Sequence, residues 1–271
     1  MTDEKIGLIA GGGPLPLLIT EKSAHSGRNV AAVGFTSDTD PELPKHCASF
    51  AWLKMGQLSK LIKFFHENRV QKIILAGTIN KPRALNIRPD FRAARLLWNM
   101  DKKGDDAILR ALAGELEKEG IEIVSCLDIV PEIKAPEGQL TAKRPGKEEK
   151  KDIQYGREAL RLLGGLDIGQ SIVVHEQMIV AVEAIEGTNA CILRAGELLD
   201  KRGGTIIKGA KPGQDLRFDQ PALGPQTIEI MHESGLTCLA FCARTCIFFH
   251  PEKSVRLADK YGISIIGLPG I

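Results

Sequence analysis

The sequence predicts an α/β protein with two domains, because strands and helices alternate along it and because its composition changes in the segment 133–152. Its 271 residues exceed one average domain and fall short of three. Hydrophobic residues make up 43% and charged residues 26%, which suffices for a sizeable core. The net charge of +2 argues against binding by bulk charge, so we expect no nucleic-acid partner.

The first half alternates short apolar runs with segments of helical periodicity. We predict strands at Lys5–Ala10, Asn29–Phe35, 71–76 and 121–127, and helices at 15–26, 58–68 and 105–119. This order is typical of a Rossmann-like parallel sheet covered by helices. We assign residues 1–132 to this N-terminal domain.

The segment 133–152 holds prolines, glycines and the charge run Lys147-Glu148-Glu149-Lys150-Lys151. Such a composition indicates a surface linker, and we place the domain boundary within it. A long solvated loop inside one domain is the alternative.

The second half, 153–271, resumes the alternation and predicts a C-terminal α/β domain; its loop of mixed charge from Lys208 to Gly224 makes it the candidate catalytic domain. The predicted strands are a hairpin or bent pair at 170–182, then 204–209, 236–242, 245–250 and 263–268; the predicted helices are 153–163, 187–202, 227–234 and Pro251–Tyr261.

The start of the chain has mixed charges and three glycines, unlike a signal peptide, and no run of 18 apolar residues occurs. We therefore expect a cytoplasmic protein. Among the six cysteines, Cys238, Cys242 and Cys246 have a spacing that would allow metal binding. No Cys-x-x-Cys pair is present, so buried thiols are the favoured interpretation.

The glycines Gly11, Gly12 and Gly13 follow the first strand and precede a helix. Glycines let a backbone approach a phosphate, and a helix N-terminus attracts anions. The pattern is neither G-x-G-x-x-G nor a P-loop with its lysine, so a nicotinamide site is disfavoured. The segment either binds a phosphoryl group or only turns.

The loop after the strand at 71–76 contains Thr78, Asn80 and Lys81, which could hold a phosphate or a uracil edge. Ligands of open α/β sheets bind at the carboxyl ends of strands, but an ordinary polar loop is equally compatible. Asp105 and Asp106 open the next helix, where capping explains them and metal binding is the alternative.

Two further groups of polar residues lie in the second half. Glu183 and Glu186 follow an apolar strand and precede Thr188 at a predicted helix start, which suits metal or substrate binding as well as plain exposure. The loop from Lys208 to Gly224 combines acidic and basic side chains with helix-breaking residues. Its carboxylates suit Mg²⁺ and its cations suit a pyrophosphate; they are Asp215, Asp219, Lys208, Lys211 and Arg217.

These motifs resemble the LpxI-type UDP-2,3-diacylglucosamine pyrophosphatases of lipid A biosynthesis. The resemblance rests on the segments GLIAGGGPLP, LAGTINKP, KKGDDAILRAL, VVHEQMIVAVEAIEGTNA and IIKGAKPGQDLRFDQPALGPQTI, and it extends to about residue 228. It implies two domains joined by a linker. It also implies Mg²⁺-dependent hydrolysis to UMP and 2,3-diacylglucosamine 1-phosphate (lipid X), with water attacking the sugar-side phosphorus.

Carried over by motif, Asp219 is the leading catalytic or metal-binding acid, with Asp215 and Arg217 beside it. Further ligands of metal or substrate follow from the same resemblance: Asp105, Asp106, Glu183, Glu186, Lys208 and Lys211.

The expected substrate is a UDP-linked diacylated glucosamine, which needs apolar surface and transient contact with the inner membrane. The basic and apolar segment 91–100 could supply that contact or pack as a core helix. A homodimer is a further expected assembly. A nucleotide-binding regulatory protein and a UDP-sugar glycosyltransferase are the alternative functions.

Overall fold

A computed structural model describes residues 5–79, 89–98, 100, 105–166 and 168–270. The chain divides into two compact units, Met1–Pro131 and Glu132–Ile271. The two units have separate sheets, which confirms the predicted α/β class. Asn80 and Lys81 lie outside the described residues.

The first unit contains a five-stranded sheet in the order β3-β2-β1-β4-β5, in which every pair is parallel. The strands are β1 (Lys5–Ala10), β2 (Asn29–Phe35), β3 (Ser49–Leu53), β4 (Lys72–Ala76) and β5 (Glu122–Ile123). The strand order reverses direction between β1 and β4. In doubly wound sheets the loops at such a reversal form the ligand crevice.

Five helices of the first unit are described: α1 (Leu15–His25), α2 (Leu58–Glu67), α3 (Phe91–Trp98), α4 (Asp105–Glu117) and the short α5 (Cys126–Ile129). The apolar face predicted for α2 is confirmed, because Leu58, Leu61, Ile62 and Phe65 are buried. The sequence pattern did not indicate β3, whose residues are mostly only half-buried. It also overestimated β5, since the chain turns into α5 after two paired residues.

The second unit contains a six-stranded mixed sheet in the order β6-β13-β11-β9-β7-β8. The strands are β6 (Gly138–Gln139), β7 (Ser171–His175), β8 (Met178–Val182), β9 (Thr205–Lys208), β11 (Cys238–Cys242) and β13 (Ser264–Leu268). The central strands β9, β11 and β13 are parallel, while β7 runs antiparallel to β9. The predicted strand pair at 170–182 is therefore present as the β7–β8 hairpin. A small separate ladder joins β10 (Ala222–Leu223) to β12 (Ile247–Phe248).

Two apolar clusters cover the two faces of this sheet. Val173 of β7 belongs to one cluster, whereas its neighbours Ile172 and Val174 belong to the other, as strand alternation requires. The helices of the unit are α6 (Lys147–Gly165), α7 (Thr188–Leu198), α8 (Pro225–Glu233) and α9 (Pro251–Tyr261).

The segment 133–152, predicted as a linker, instead carries structure of the second unit. Strand β6 pairs with β13, and α6 begins at Lys147, six residues before the predicted start at 153. The charge run is thus the solvated face of the first helical turns. The side chain of Glu149 accepts a hydrogen bond from Gly146 N at 2.6 Å and so satisfies a backbone donor at the helix start.

All six cysteines are free, and five of them are buried. Burial raises the pKa of Cys246 to about 12, which keeps that thiol protonated at neutral pH. Within the described ranges, no helix is both long enough and apolar enough to cross a bilayer.

Candidate active site

The polar residues of the second unit meet at one edge of its sheet. Ser171, the first residue of β7, is the register partner of Lys208, the last residue of β9. Glu183 follows β8 and donates its N–H to Ser171 O at 2.9 Å. This edge is the carboxyl end of the parallel strands, where ligands of open α/β sheets bind.

Lys208 extends into a buried position, with only 4% of its surface exposed. Its Nζ donates to Thr188 Oγ1 at 2.5 Å and to Ser171 Oγ at 3.2 Å, and it lies 3.9 Å from Glu183 Oε2. Burial lowers the pKa of Lys208 because it disfavours the charged ammonium, and the Glu183 carboxylate acts in the opposite direction.

Glu183 and Glu186 differ in their partners, although both follow β8. Glu183 Oε2 accepts a hydrogen bond from Thr188 Oγ1 at 3.0 Å. Glu186 forms an ion pair with Arg194 at 3.0 Å and accepts the N–H of Ala184. Glu183 therefore belongs to the Lys208 cluster, whereas Glu186 stabilises the turn that leads into α7.

Asp215 and Asp219, both in the loop after β9, also differ in their partners. Asp215 forms an ion pair with Arg217 at 2.8 Å and also accepts the Arg217 N–H. Asp219 Oδ2 accepts hydrogen bonds from Gln170 Nε2 at 2.6 Å and from Gln214 Nε2 at 2.7 Å. Asp215 and Arg217 thus neutralise each other, while Asp219 is an exposed carboxylate held by two neutral amides.

The carboxylates of this edge resemble the ligands of a sparsely coordinated Mg²⁺ ion more than those of a metal site built entirely by the protein. Among the side chains that the structure describes, no three His, Cys, Asp or Glu groups are close enough to hold a metal ion together. Mg²⁺ usually takes one or two protein carboxylates and completes its shell with water and substrate phosphate oxygens. Glu183, which follows β8, and Asp219, in the loop after β9, are the carboxylates of this edge that would supply such a smaller donor set.

In the first unit, the loops after β1 and β4 contact each other at the point where the strand order reverses. Gly12 N donates to Thr78 O at 2.7 Å, and Thr78 N donates to Gly12 O at 2.9 Å. Gly11 N donates to Ala76 O at 2.7 Å. The N–H groups of Gly11 and Gly12 are therefore used within the protein, which leaves Gly13 as the glycine of this turn best able to contact a phosphate.

The glycines are required here by close packing. A Cβ on Gly11 would lie 2.6 Å from Thr78 O, and one on Gly12 would lie 2.8 Å from Asp38 O. A valine at Gly12 would therefore collide with backbone atoms and disturb the fold before any effect on ligand binding could be measured.

Of the remaining predicted site residues, two have side chains outside the described part of the structure and one lies in the loop after β9. Helix α4 begins at Asp105, but the side chains of Asp105 and Asp106 are outside the described part of the structure. Lys211 lies in the loop after β9, where its N–H donates to Gln214 Oε1 at 2.8 Å.

Sequence reasoning missed Ser171, Gln170 and Gln214, which hold Lys208 and Asp219. Uncharged side chains give little signal in a single sequence. Ser171 and Gln170 follow only from the strand register, because a strand that pairs with β9 at Lys208 brings its first residues to the same edge, and one sequence does not reveal that register.

These features define a class of two-unit α/β protein. The first unit has a doubly wound parallel sheet, and the second has a strand edge where cationic and carboxylate side chains of the kind used in phosphate chemistry lie close together. The chain belongs to the LpxI family. Residues 5–133 match the LpxI N-terminal domain and residues 136–266 match the LpxI C-terminal domain. The UDP-2,3-diacylglucosamine pyrophosphatase LpxI of Caulobacter vibrioides is 33% identical over 97% of both chains.

Solved structures offer weaker similarities. The Campylobacter jejuni biotin carboxylase in complex with an ATP analogue is 12% identical, with a TM-score of 0.30, over 72% of this chain and 42% of that chain. The phosphoribosylglycinamide synthetase of Anaerococcus prevotii is 10% identical, with a TM-score of 0.27, over 68% of this chain and 39% of that chain. Scores this low carry no argument about fold or function.

Proposed function

We propose that this protein hydrolyses the pyrophosphate bond of UDP-2,3-diacylglucosamine to UMP and 2,3-diacylglucosamine 1-phosphate, as a Mg²⁺-dependent step of lipid A biosynthesis. The proposal is supported by the near full-length similarity to the Caulobacter vibrioides pyrophosphatase. The observation that carries it is Asp219, an exposed carboxylate held by two amides at the carboxyl edge of the sheet and within the electrostatic influence of Lys208.

In the proposed reaction, a water oxygen forms a bond to the sugar-side phosphorus. The bond from that phosphorus to the bridging oxygen breaks, and the bridging oxygen leaves with UMP. Asp219 orients the water and accepts its proton, since the two amide N–H donors hold its Oδ2 and so orient the carboxylate without neutralising it. Asp219 and Glu183 would hold the Mg²⁺, which would supply charge neutralisation for the pyrophosphate.

The test is incubation of purified protein with UDP-2,3-diacylglucosamine in ¹⁸O-labelled water, with and without Mg²⁺. We expect UMP and lipid X only when Mg²⁺ is present, with the label in lipid X. Chelation by EDTA should abolish UMP release and added Mg²⁺ should restore it. Full activity in the chelator would refute the metal requirement. Label in UMP would show that water attacks the uridine-side phosphorus instead of the sugar-side phosphorus. Release that requires an acceptor sugar would indicate a glycosyltransferase, and binding without turnover a regulatory protein.

We also propose a cytoplasmic protein that contacts the inner membrane transiently through α3. Phe91 and Trp98, at the two ends of this helix, are 86% and 87% exposed, and Arg95 lies between them. Aromatic and basic side chains together suit a lipid headgroup region. Loss of vesicle binding by a Phe91→Ser/Trp98→Ser variant would support this role, and unchanged binding would contradict it.

A homodimer is proposed through the β8 side of the second unit. β8 stands at the end of the strand order, and Met178 and Ile179 on it are exposed. Tyr155 and Leu162 are exposed one heptad apart on α6, and Leu166, directly after the helix, is also exposed. Exposed apolar area of this kind is typical of an interface. Sedimentation as a monomer at micromolar concentration would contradict the dimer.

A further inference from the structure

Lys208 is almost completely buried, and its ammonium group is surrounded by side chains of the protein. Its ammonium contacts three side chains from different parts of the unit: Ser171 on β7, Thr188 at the start of α7, and Glu183 between β8 and α7. A buried charge is costly unless it is paired and hydrogen-bonded. The two hydroxyls and the carboxylate meet that need, so the ammonium is already solvated by the protein.

The same contacts fix Glu183 from several directions. Thr188 Oγ1 accepts from Lys208 and donates to Glu183 Oε2, so one hydroxyl connects the cation to the carboxylate. The Glu183 backbone is held by its N–H bond to Ser171 O. The Glu183 backbone also packs against Gly169, where an added Cβ would collide with Glu183 O. Lys208 and Thr188 therefore both restrain the orientation of the Glu183 carboxylate.

We propose that Lys208 is a positioning residue, which fixes Glu183 and the start of α7 through Thr188 instead of binding the substrate phosphates itself. The proposal rests on the proposed function, because Glu183 is the carboxylate that it presents to the pyrophosphate and its metal. It replaces the expectation that Lys208 is a direct substrate ligand.

The kinetic test compares Lys208→Met, Thr188→Val and Thr188→Ser with the wild type. A positioning role predicts that Lys208→Met and Thr188→Val both lower kcat, by about 10- to 100-fold as for other residues that orient ligands, with KM little changed. Thr188→Ser keeps the hydroxyl and should recover most of the activity that Thr188→Val loses. Thr205→Val is the matched control, because it makes the same change at the opposite end of β9.

A direct substrate ligand would behave differently. Lys208→Met would then raise KM, and Thr188→Val would leave kcat intact. Either result would overturn the proposal. If Lys208→Met fails to fold, the Thr188→Val and Thr188→Ser pair still decides the question.

A second readout does not depend on turnover. Amide hydrogen exchange at residues 184–188 should become faster in Lys208→Met and Thr188→Val, and should stay unchanged in Thr205→Val. A wild-type protein that releases no UMP would refute the proposed function alone. Unchanged exchange in both variants would refute the positioning role, whatever the activity.

Discussion

At the scale of single residues, Asp215 and Asp219 show how local partners separate similar side chains. Both lie in the loop after β9, four positions apart. Asp215 is paired with Arg217, which satisfies its charge within the loop. Asp219 is held by the amides of Gln170 and Gln214, which orient it without neutralising it. Only Asp219 therefore keeps its charge available for water or a cation.

We expect Asp219→Ala to lose roughly two to four powers of ten in turnover, the range typical of a general base. It should still bind substrate and should melt near the wild-type temperature, because its carboxylate is exposed. Asp215→Ala should lower the melting temperature in addition to the turnover, since it removes the partly buried ion pair between Asp215 and Arg217. Single-turnover hydrolysis and thermal unfolding on the same samples separate the two effects. An Asp219→Ala enzyme with near-normal kcat would refute the assignment.

The glycine turn allows a comparison of neighbouring positions. Gly12→Ala places a Cβ 2.8 Å from Asp38 O, whereas Gly13→Ala meets no atom within 4 Å but has a φ of +89°. We expect Gly12→Ala to lower the melting temperature more than Gly13→Ala, whose cost is limited to about 1–2 kcal/mol of backbone strain. Equal effects measured by thermal unfolding would show that the loop contact with Asp38 is unimportant.

At the scale of elements, strand and helix positions could be predicted where apolar periodicity is strong, as for β1, β4 and α2. The start of α6 could not be predicted, because its first turns bear a charge run whose composition is typical of a linker. In the structure, the Glu149 carboxylate accepts a hydrogen bond from Gly146 N and so caps the helix. The partners of Asp219 could not be predicted either. Gln170 lies 49 residues away in sequence, and only the β7–β9 register brings it close.

Two glycines of α6 test what the packing of this helix contributes. Gly156 faces the sheet, and a Cβ there would lie 2.5 Å from Ile207 Cδ1 and 2.9 Å from Ile207 Cγ1. Gly165 has no atom within 4 Å of its added Cβ. Alanine favours a helix by about 0.8–1.0 kcal/mol over glycine, so Gly165→Ala should stabilise or be neutral. Gly156→Ala should destabilise through overpacking. Urea unfolding measures the change in the free energy of unfolding for both variants. A Gly156→Ala variant more stable than the wild type would contradict the close contact with Ile207.

At the scale of the whole molecule, each unit has its own sheet and core, so each meets the usual description of a domain. The strand edge of the second unit holds the side-chain contacts of Lys208 with Ser171, Thr188 and Glu183. The sequence indicated the charged residues of this edge, but their grouping comes from strand order. Sheet order depends on pairing between distant segments, which one sequence does not reveal.

The boundary between the units can be tested by fragments. A fragment of residues 132–271 retains β6 and the whole of α6, whereas a fragment of residues 153–271 loses both β6 and the first six residues of that helix. The shorter fragment also loses Asp152, which is buried and accepts the N–H of Gln177 in the β7–β8 turn at 2.7 Å. It loses the Glu149 carboxylate that accepts from Thr237 Oγ1 as well. We therefore expect 132–271 to unfold cooperatively and 153–271 to be unfolded or aggregated. Circular dichroism with thermal melting measures both, and a stable 153–271 fragment would show that the segment before it is a linker after all.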